Sequence, residues 1–143
     1  MASNDLVLGF DFGLRQIGVA VGELLLGTAR PLCILKATEG QPDWHQVKKL
    51  LEEWRPGDVV VGLPLNMDGS EGESAVAARK FAGRLHGRFG VRVEMQDERL
   101  SSRAARENVQ ALEEIGGKRV AHDEVDAEAA VVILEGWFNS RRV

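Results

Sequence analysis

The chain predicts an α/β fold: a five-stranded mixed sheet, three antiparallel strands followed by parallel crossovers, with helices on both faces. Three observations in the sequence carry this reading. Strand-length apolar segments open the chain, joined by links too short to hold a helix. After residue 43 the apolar residues switch to helical spacing. From there strand and helix signals alternate, the pattern of crossover units.

Residues 6–13 read as a central strand, apolar on both sides, and Ile17 to Leu24 as its hairpin partner. Residues 28–36 make a third strand, where Pro31 fits only at an edge or a bulge. From Asp43 to Trp54, the residues Trp44, Val47, Leu50, Leu51 and Trp54 recur at helical spacing, and Arg55-Pro56-Gly57 stops the helix. Val59 to Leu63 is a β-branched run of strand length. Residues 64–74 are polar and glycine-bearing and read as a mobile loop. A helix from about Ala75 to Phe89 and a strand from Val91 to Gln96 follow. Ser101 or Ser102 suits the N-cap of a helix running to about Leu112, Gly116 to Arg119 reads as a flexible connection, and Asp126 to Phe138 forms a largely buried last helix.

A chain of 143 residues is expected to be one domain, 1–143, large enough to bury a core without staples. Its one cysteine, Cys33, fits a reducing compartment and sits in a strand, where packing is the better reading than reactivity. The start of the chain has no basic flank followed by an apolar stretch, and no run is long enough to span a membrane, so a cytoplasmic location is expected. The net charge of −4 weighs against a broad nucleic-acid footprint, yet basic residues cluster locally. Arg79, Lys80, Arg84 and Arg88 form one such group, and Arg99, Arg103 and Arg106 another. Taken singly, each cluster reads as a solvated helix face.

Asp11 stands apart from this bland pattern. A carboxylate inside an apolar strand costs several kcal/mol unless its charge is compensated, which points to a metal or a proton. Further acids stand at the ends of later elements, Asp97-Glu98 and Asp123-x-x-Asp126. Strand alternation turns only one of Asp97 and Glu98 toward any given face. Asp126 suits either a ligand or the cap of the last helix. An all-oxygen donor set suits Mg²⁺ or Mn²⁺, whereas zinc would prefer sulfur or paired histidines. His45, His86 and His122 are not spaced as metal ligands. Arg15, just past the first strand, is placed to clamp a phosphate or to lie on the surface. Asn66 and Asp68 suit either substrate contact or turn building.

Four segments in order carry a resemblance: Asp11-Phe12-Gly13 through Arg15, Gly18 and Ala20; Gly62-Leu63-Pro64-Leu65-Asn66-Met67-Asp68-Gly69; Asp97-Glu98-Arg99-Leu100-Ser101; and Val125-Asp126-Ala127 with Ala129-Ala130. Together they resemble the YqgF/RuvX family of Holliday-junction-resolvase-like and pre-rRNA nucleases. The resemblance implies an RNase H-like fold and phosphodiester hydrolysis. It selects Asp11, Glu98 and Asp126 as catalytic, metal-holding acids with Mg²⁺ or Mn²⁺, and gives substrate contacts to Arg15, Asn66 and Arg99. The implied partners are structured RNA, above all the small-subunit rRNA precursor, or branched DNA, together with ribosomal particles. Asp123 departs from the family pattern, and its spacing to Asp126 is similar to that of RuvC-type resolvases; an exposed helix-start acid is the favoured reading over a fourth ligand.

Two rivals are set against this. A phosphate-binding ATPase of the actin and hexokinase kind also opens on an Asp-x-Gly strand, but it is built from two related halves and this chain has no repeat. A silent nucleic-acid-binding module on the same fold would gain nothing from clustered carboxylates.

Overall fold

The structure, a computed structural model, describes residues 5–98 and 122–141, with side chains of the last helix described from Ala127 onward. The elements in order are β1 (Leu6–Asp11), β2 (Gln16–Glu23), β3 (Thr28–Thr38), β4 (Gln41–Pro42), α1 (Trp44–Trp54), β5 (Asp58–Leu63), α2 (Glu73–Phe89), β6 (Val93–Asp97) and α3 (His122–Arg141). The expected helix from Ser101 or Ser102 to Leu112 and the connection at Gly116–Arg119 lie outside the described residues.

The strands form one mixed sheet in the order β4-β3-β2-β1-β5-β6. The first three pair antiparallel, as do β3 and β4, and β1–β5 and β5–β6 are parallel. Among the described residues the sheet therefore has six strands rather than the five expected. The extra one, β4, spans two residues and returns on β3 through Glu39 and Gly40, both at positive φ. A strand that short leaves no periodic trace in a sequence. Pro31 sits where the β2–β3 register slips between Val19 and Ala20, so the missing N–H falls at a bulge.

Alternation along β1 sorts its side chains into two layers. Leu8 and Phe10 point into a cluster with Ile17, Val19, Val59 and Val61, covered by Val47 and Leu51 of α1 and by Ala78, Phe81 and Leu85 of α2. Phe81 is the hub, with ring centroids 5.7 Å from Phe10 and 5.9 Å from Trp44. On the opposite face Val7, Ala20 and Val60 pack under Ala130, Ile133, Leu134, Trp137 and Phe138 of α3. That helix lies close because β1 carries no side chain at Gly9, where a Cβ would fall 2.5 Å from Leu134 Cγ.

Both ends of α1 are fixed locally. The Asp43 side chain accepts from the His45 N–H at 2.9 Å, and Arg55 closes the helix in the left-handed region before Pro56. α2 starts at Glu73 after Gly72, two residues earlier than its apolar pattern suggests. The tail of α3 is clasped to β6. Glu94 accepts from Trp137 Nε1 at 3.1 Å and pairs with Arg141, whose guanidinium also lies 4.1 Å from the centre of the Trp137 ring. No helix among the described residues is long and apolar enough to cross a membrane.

Candidate active site

The site lies at the C-terminal ends of β1, β5 and β6, on the face that α3 covers. Asp11 ends β1 opposite Gly18 of β2 and follows Val7 and Gly9 on the α3 side. Leu63 ends β5 opposite Asp97, and the Glu98 N–H donates to the Leu63 carbonyl at 3.0 Å, which carries the β6 ladder one residue further. Register decides between the two neighbouring acids. Val93 and Met95 pack toward α1 and α2, while Glu94 reaches Trp137 of α3. Alternation then turns Asp97 to the first layer and Glu98 to the α3 layer, beside Asp11.

Glu98 is buried, at 8% exposure, and hydrogen-bonds to the Asp11 carboxylate. Two carboxylates in that relation share one proton. Burial, and then the charges of Asp11 and Asp97, push the Glu98 carboxyl up to about 8. Such a pair is costly unless a cation takes the place of the proton. Its donors are all hard oxygens, so the pair fits a Mg²⁺- or Mn²⁺-like ion. Among the described residues no group of three His, Cys, Asp or Glu side chains assembles.

Gly62 is a site-shaping residue that the sequence reading passed over. A Cβ there would fall 2.7 Å from Glu98 Cδ and 2.6 Å from Ile133 Cδ1. Its absence makes room for the carboxyl between β5 and α3. The signal was present as a lone glycine inside the run Val59-Val60-Val61-Gly62-Leu63.

Asp126 falls within α3, one turn past His122, where the described helix begins, so it does not cap that helix. It precedes Ile133 by two turns, about 10 Å along the axis, and shares its stripe of the helix. The side chains of Asp126, Asp123 and His122 lie outside the described residues, as does Arg99 altogether.

Arg15 is exposed in the β1–β2 turn and lines an open recess of about 410 Å³ together with Asp11 and Gly13. The turn is held against β3–β4 by the Ala37 N–H donating to the Arg15 carbonyl at 2.8 Å and Gly40 N–H to the Leu14 carbonyl at 2.9 Å. The segment read as a mobile loop is a hydrogen-bonded turn. Leu65 bridges Glu71, and the Asn66 N–H donates to the Ser70 carbonyl at 2.9 Å. Asn66 Nδ2 donates to Ser70 Oγ at 3.0 Å, and Asp68 Oδ1 accepts from the Ser70 N–H at 2.9 Å. Asn66 and Asp68 build this turn. Cys33 is half-buried, and burial with the nearby Glu53 charge pushes its thiol up, which leaves it inert.

Known proteins are similar to this chain in sequence and in fold. A protein of Pectobacterium atrosepticum named "Putative pre-16S rRNA nuclease" is 55% identical over 139 residues, covering 97% of this chain and 99% of its own. A protein of the same name from Photorhabdus laumondii is 53% identical over the same shares. Among solved structures, Thermus thermophilus RuvC in complex with a Holliday junction substrate aligns with a TM-score of 0.61 at 22% identity, over 95% of both chains. The Fowlpox virus resolvase bound to Holliday junction DNA aligns at 0.57 and 14%, over 94% of this chain and 97% of its own. These two likenesses establish the RNase H-like fold of the RuvC-type resolvases. Residues 5–140 match the family described as "RuvX: Holliday junction resolvase", and the chain belongs to that family.

Proposed function

We propose that this chain is a single-domain, metal-dependent endonuclease that hydrolyses phosphodiester bonds, with the 5′ end of the 16S rRNA precursor as its substrate. The observation that carries the reading is the proton-sharing pair of half-buried Asp11 and buried Glu98 at the C-terminal ends of the strands. A protein that only bound phosphates would be opposed by that pair. The relatives named for pre-16S rRNA nuclease activity supply the substrate.

Asp11, Glu98 and Asp126 are the residues that would hold Mg²⁺ or Mn²⁺. Bound there, such ions would supply Lewis-acid activation of water and charge stabilisation at the leaving oxygen of a phosphodiester. The chain's own groups do the rest. Arg15, in the same recess as Asp11, holds a substrate phosphate through its guanidinium. Asn66 acts through the turn it builds at the end of β5, and Arg99, next to Glu98, is assigned a backbone phosphate. Structured RNA and ribosomal particles in the cytoplasm are the partners this reading implies. The family description favours a second reading, the resolution of four-way DNA junctions by the same chemistry.

The test is a cleavage screen on pre-16S rRNA fragments and four-way DNA junctions with Mg²⁺ or Mn²⁺, with Asp11→Asn as control. The expected result is metal-dependent cleavage of the RNA that vanishes in the variant. Equal cleavage by the variant ends the assignment.

A further inference from the structure

An open groove of about 690 Å³ runs along the first layer from the β1–β2 turn. One wall is α2, with Val76, Lys80 and Arg84; the other is the β3–β4 turn, with Glu39. Phe12 and Leu14 line both this groove and the recess that contains Asp11 and Arg15, so the two adjoin across the β1–β2 turn. A smaller recess of about 290 Å³, between Gly13, Pro64 and Ser74, opens on the same turn.

The groove's chemistry is two-sided. Lys80 and Arg84 lie four residues apart on α2, about 6 Å along its axis, and both are exposed. Neither has an anionic partner among the described residues, unlike Arg79, which pairs with Glu71 at 2.7 Å. Arg88 continues the stripe but is held over the Trp44 ring, 4.5 Å from its centre. Beside these cations Leu14 and Val76 stay 60% and 46% exposed, apolar surface that none of the described elements covers. Unpaired cations next to open apolar surface match a strand whose phosphates and base faces are both accessible. A duplex hides its base faces and would leave Leu14 and Val76 unused. Glu39 and Glu73 repel phosphates from the rest of the rim, which confines the backbone to the Lys80–Arg84 side.

We propose that this groove holds the single-stranded flank of the nucleic acid as it leaves the carboxylate pair, with Lys80 and Arg84 on successive phosphates and Leu14 and Val76 against the bases. The inference rests on the nuclease reading and adds to it the path and strandedness of the substrate.

The probes are 12-nucleotide single-stranded RNA and DNA of one sequence and the matching DNA duplex, with binding followed by fluorescence anisotropy across a salt series. Lys80→Gln/Arg84→Gln is expected to weaken single-strand binding about tenfold near 0.1 M salt and to flatten the log–log salt slope by roughly 1.4, two phosphates' worth. Leu14→Ser is expected to weaken single-strand binding at unchanged slope, and Glu39→Gln to tighten it. Comparable weakening on RNA and DNA locates recognition at the shared backbone and bases; weakening on RNA alone adds a 2′-hydroxyl contact. Unchanged affinity and slope in the double variant, or a loss confined to the duplex, overturns the proposal. All four substitutions are at the surface, and thermal melting checks that each variant is folded. Metal-dependent cleavage by wild type against Asp11→Asn reads the nuclease assignment separately, so either idea can fail without the other.

Discussion

Phe10 and Asp11 are neighbours on one strand, yet they belong to opposite layers with opposite purposes. Phe10 enters a closed apolar layer, edge-on to Phe81 and sealed by α1 and α2. Asp11 enters the layer under α3, which is equally apolar at its centre but ends in an acid pair with Glu98 buried. The first layer gains free energy at almost every position. The second gives some of it back at its edge, where Glu98 is buried against like charge. Stability and chemistry are thus separated by the pleat of a single strand, and substitutions on the two sides should fail in different ways.

The sharpest contrast is between Asp11→Asn and Phe81→Ala. Asp11→Asn should lower the cleavage rate by roughly 10⁴-fold or more, as loss of one member of a catalytic set does. In metal-free buffer above about pH 8, where the pair has lost its shared proton, its melting temperature should hold or rise, because a repulsion is gone. Phe81→Ala should do the reverse, costing about 3–5 kcal/mol in urea unfolding while the folded fraction keeps its rate constant. If Asp11→Asn instead unfolds the protein in EDTA, the division between the layers is wrong.

Next comes Glu98→Gln, read through pH. The folded-state value of Glu98 stands above its ordinary 4.5, at about 8, so the folded protein holds this proton more tightly than the unfolded chain. Below about 4.5 the carboxyl is protonated in both states and costs nothing extra. As pH rises from there to about 8, the metal-free wild type should lose stability, on the order of a few kcal/mol. The glutamine variant has no proton to lose. Its advantage in EDTA should therefore be near zero at pH 4.5, grow toward pH 8, and shrink in wild-type comparisons made with saturating Mg²⁺. A flat difference across that range would mean that burial beside Asp11 does not raise the Glu98 carboxyl in the folded protein.

Gly62→Ala tests the boundary itself, since its Cβ would press on both Ile133 and Glu98. About 1–3 kcal/mol of overpacking is expected, with a partial loss of cleavage. A variant that loses stability but no activity would show that Glu98 can yield without cost to the chemistry.

The sequence made the strand–helix order readable, because β1, α1, β5 and α2 each carry a clean period and a clear stop signal. It marked Asp11 for the same reason, a charge where the pattern demands hydrocarbon. Other features depend on partners distant in the chain. Strand alternation left Glu98 and Asp97 open until the family resemblance, and then the β5–β6 register, favoured Glu98, and the burial of Glu98 needed α3 seated on Gly62. The order in residues 64–74 comes from side-chain bonds among Asn66, Asp68 and Ser70, which composition alone cannot distinguish from a slack loop. β4 was too brief to register at all.

The grip of Glu94 on Trp137 and Arg141 has one more result. With its tail anchored there and its middle seated over Gly9 and Gly62, α3 cannot slide along the sheet without breaking all three attachments together. A slip of one residue would carry Asp126 about 1.5 Å along the axis and rotate it by roughly a quarter turn. The ruler for where Asp126 stands along the sheet is therefore made of leucine, isoleucine and tryptophan seated against two glycines and one glutamate.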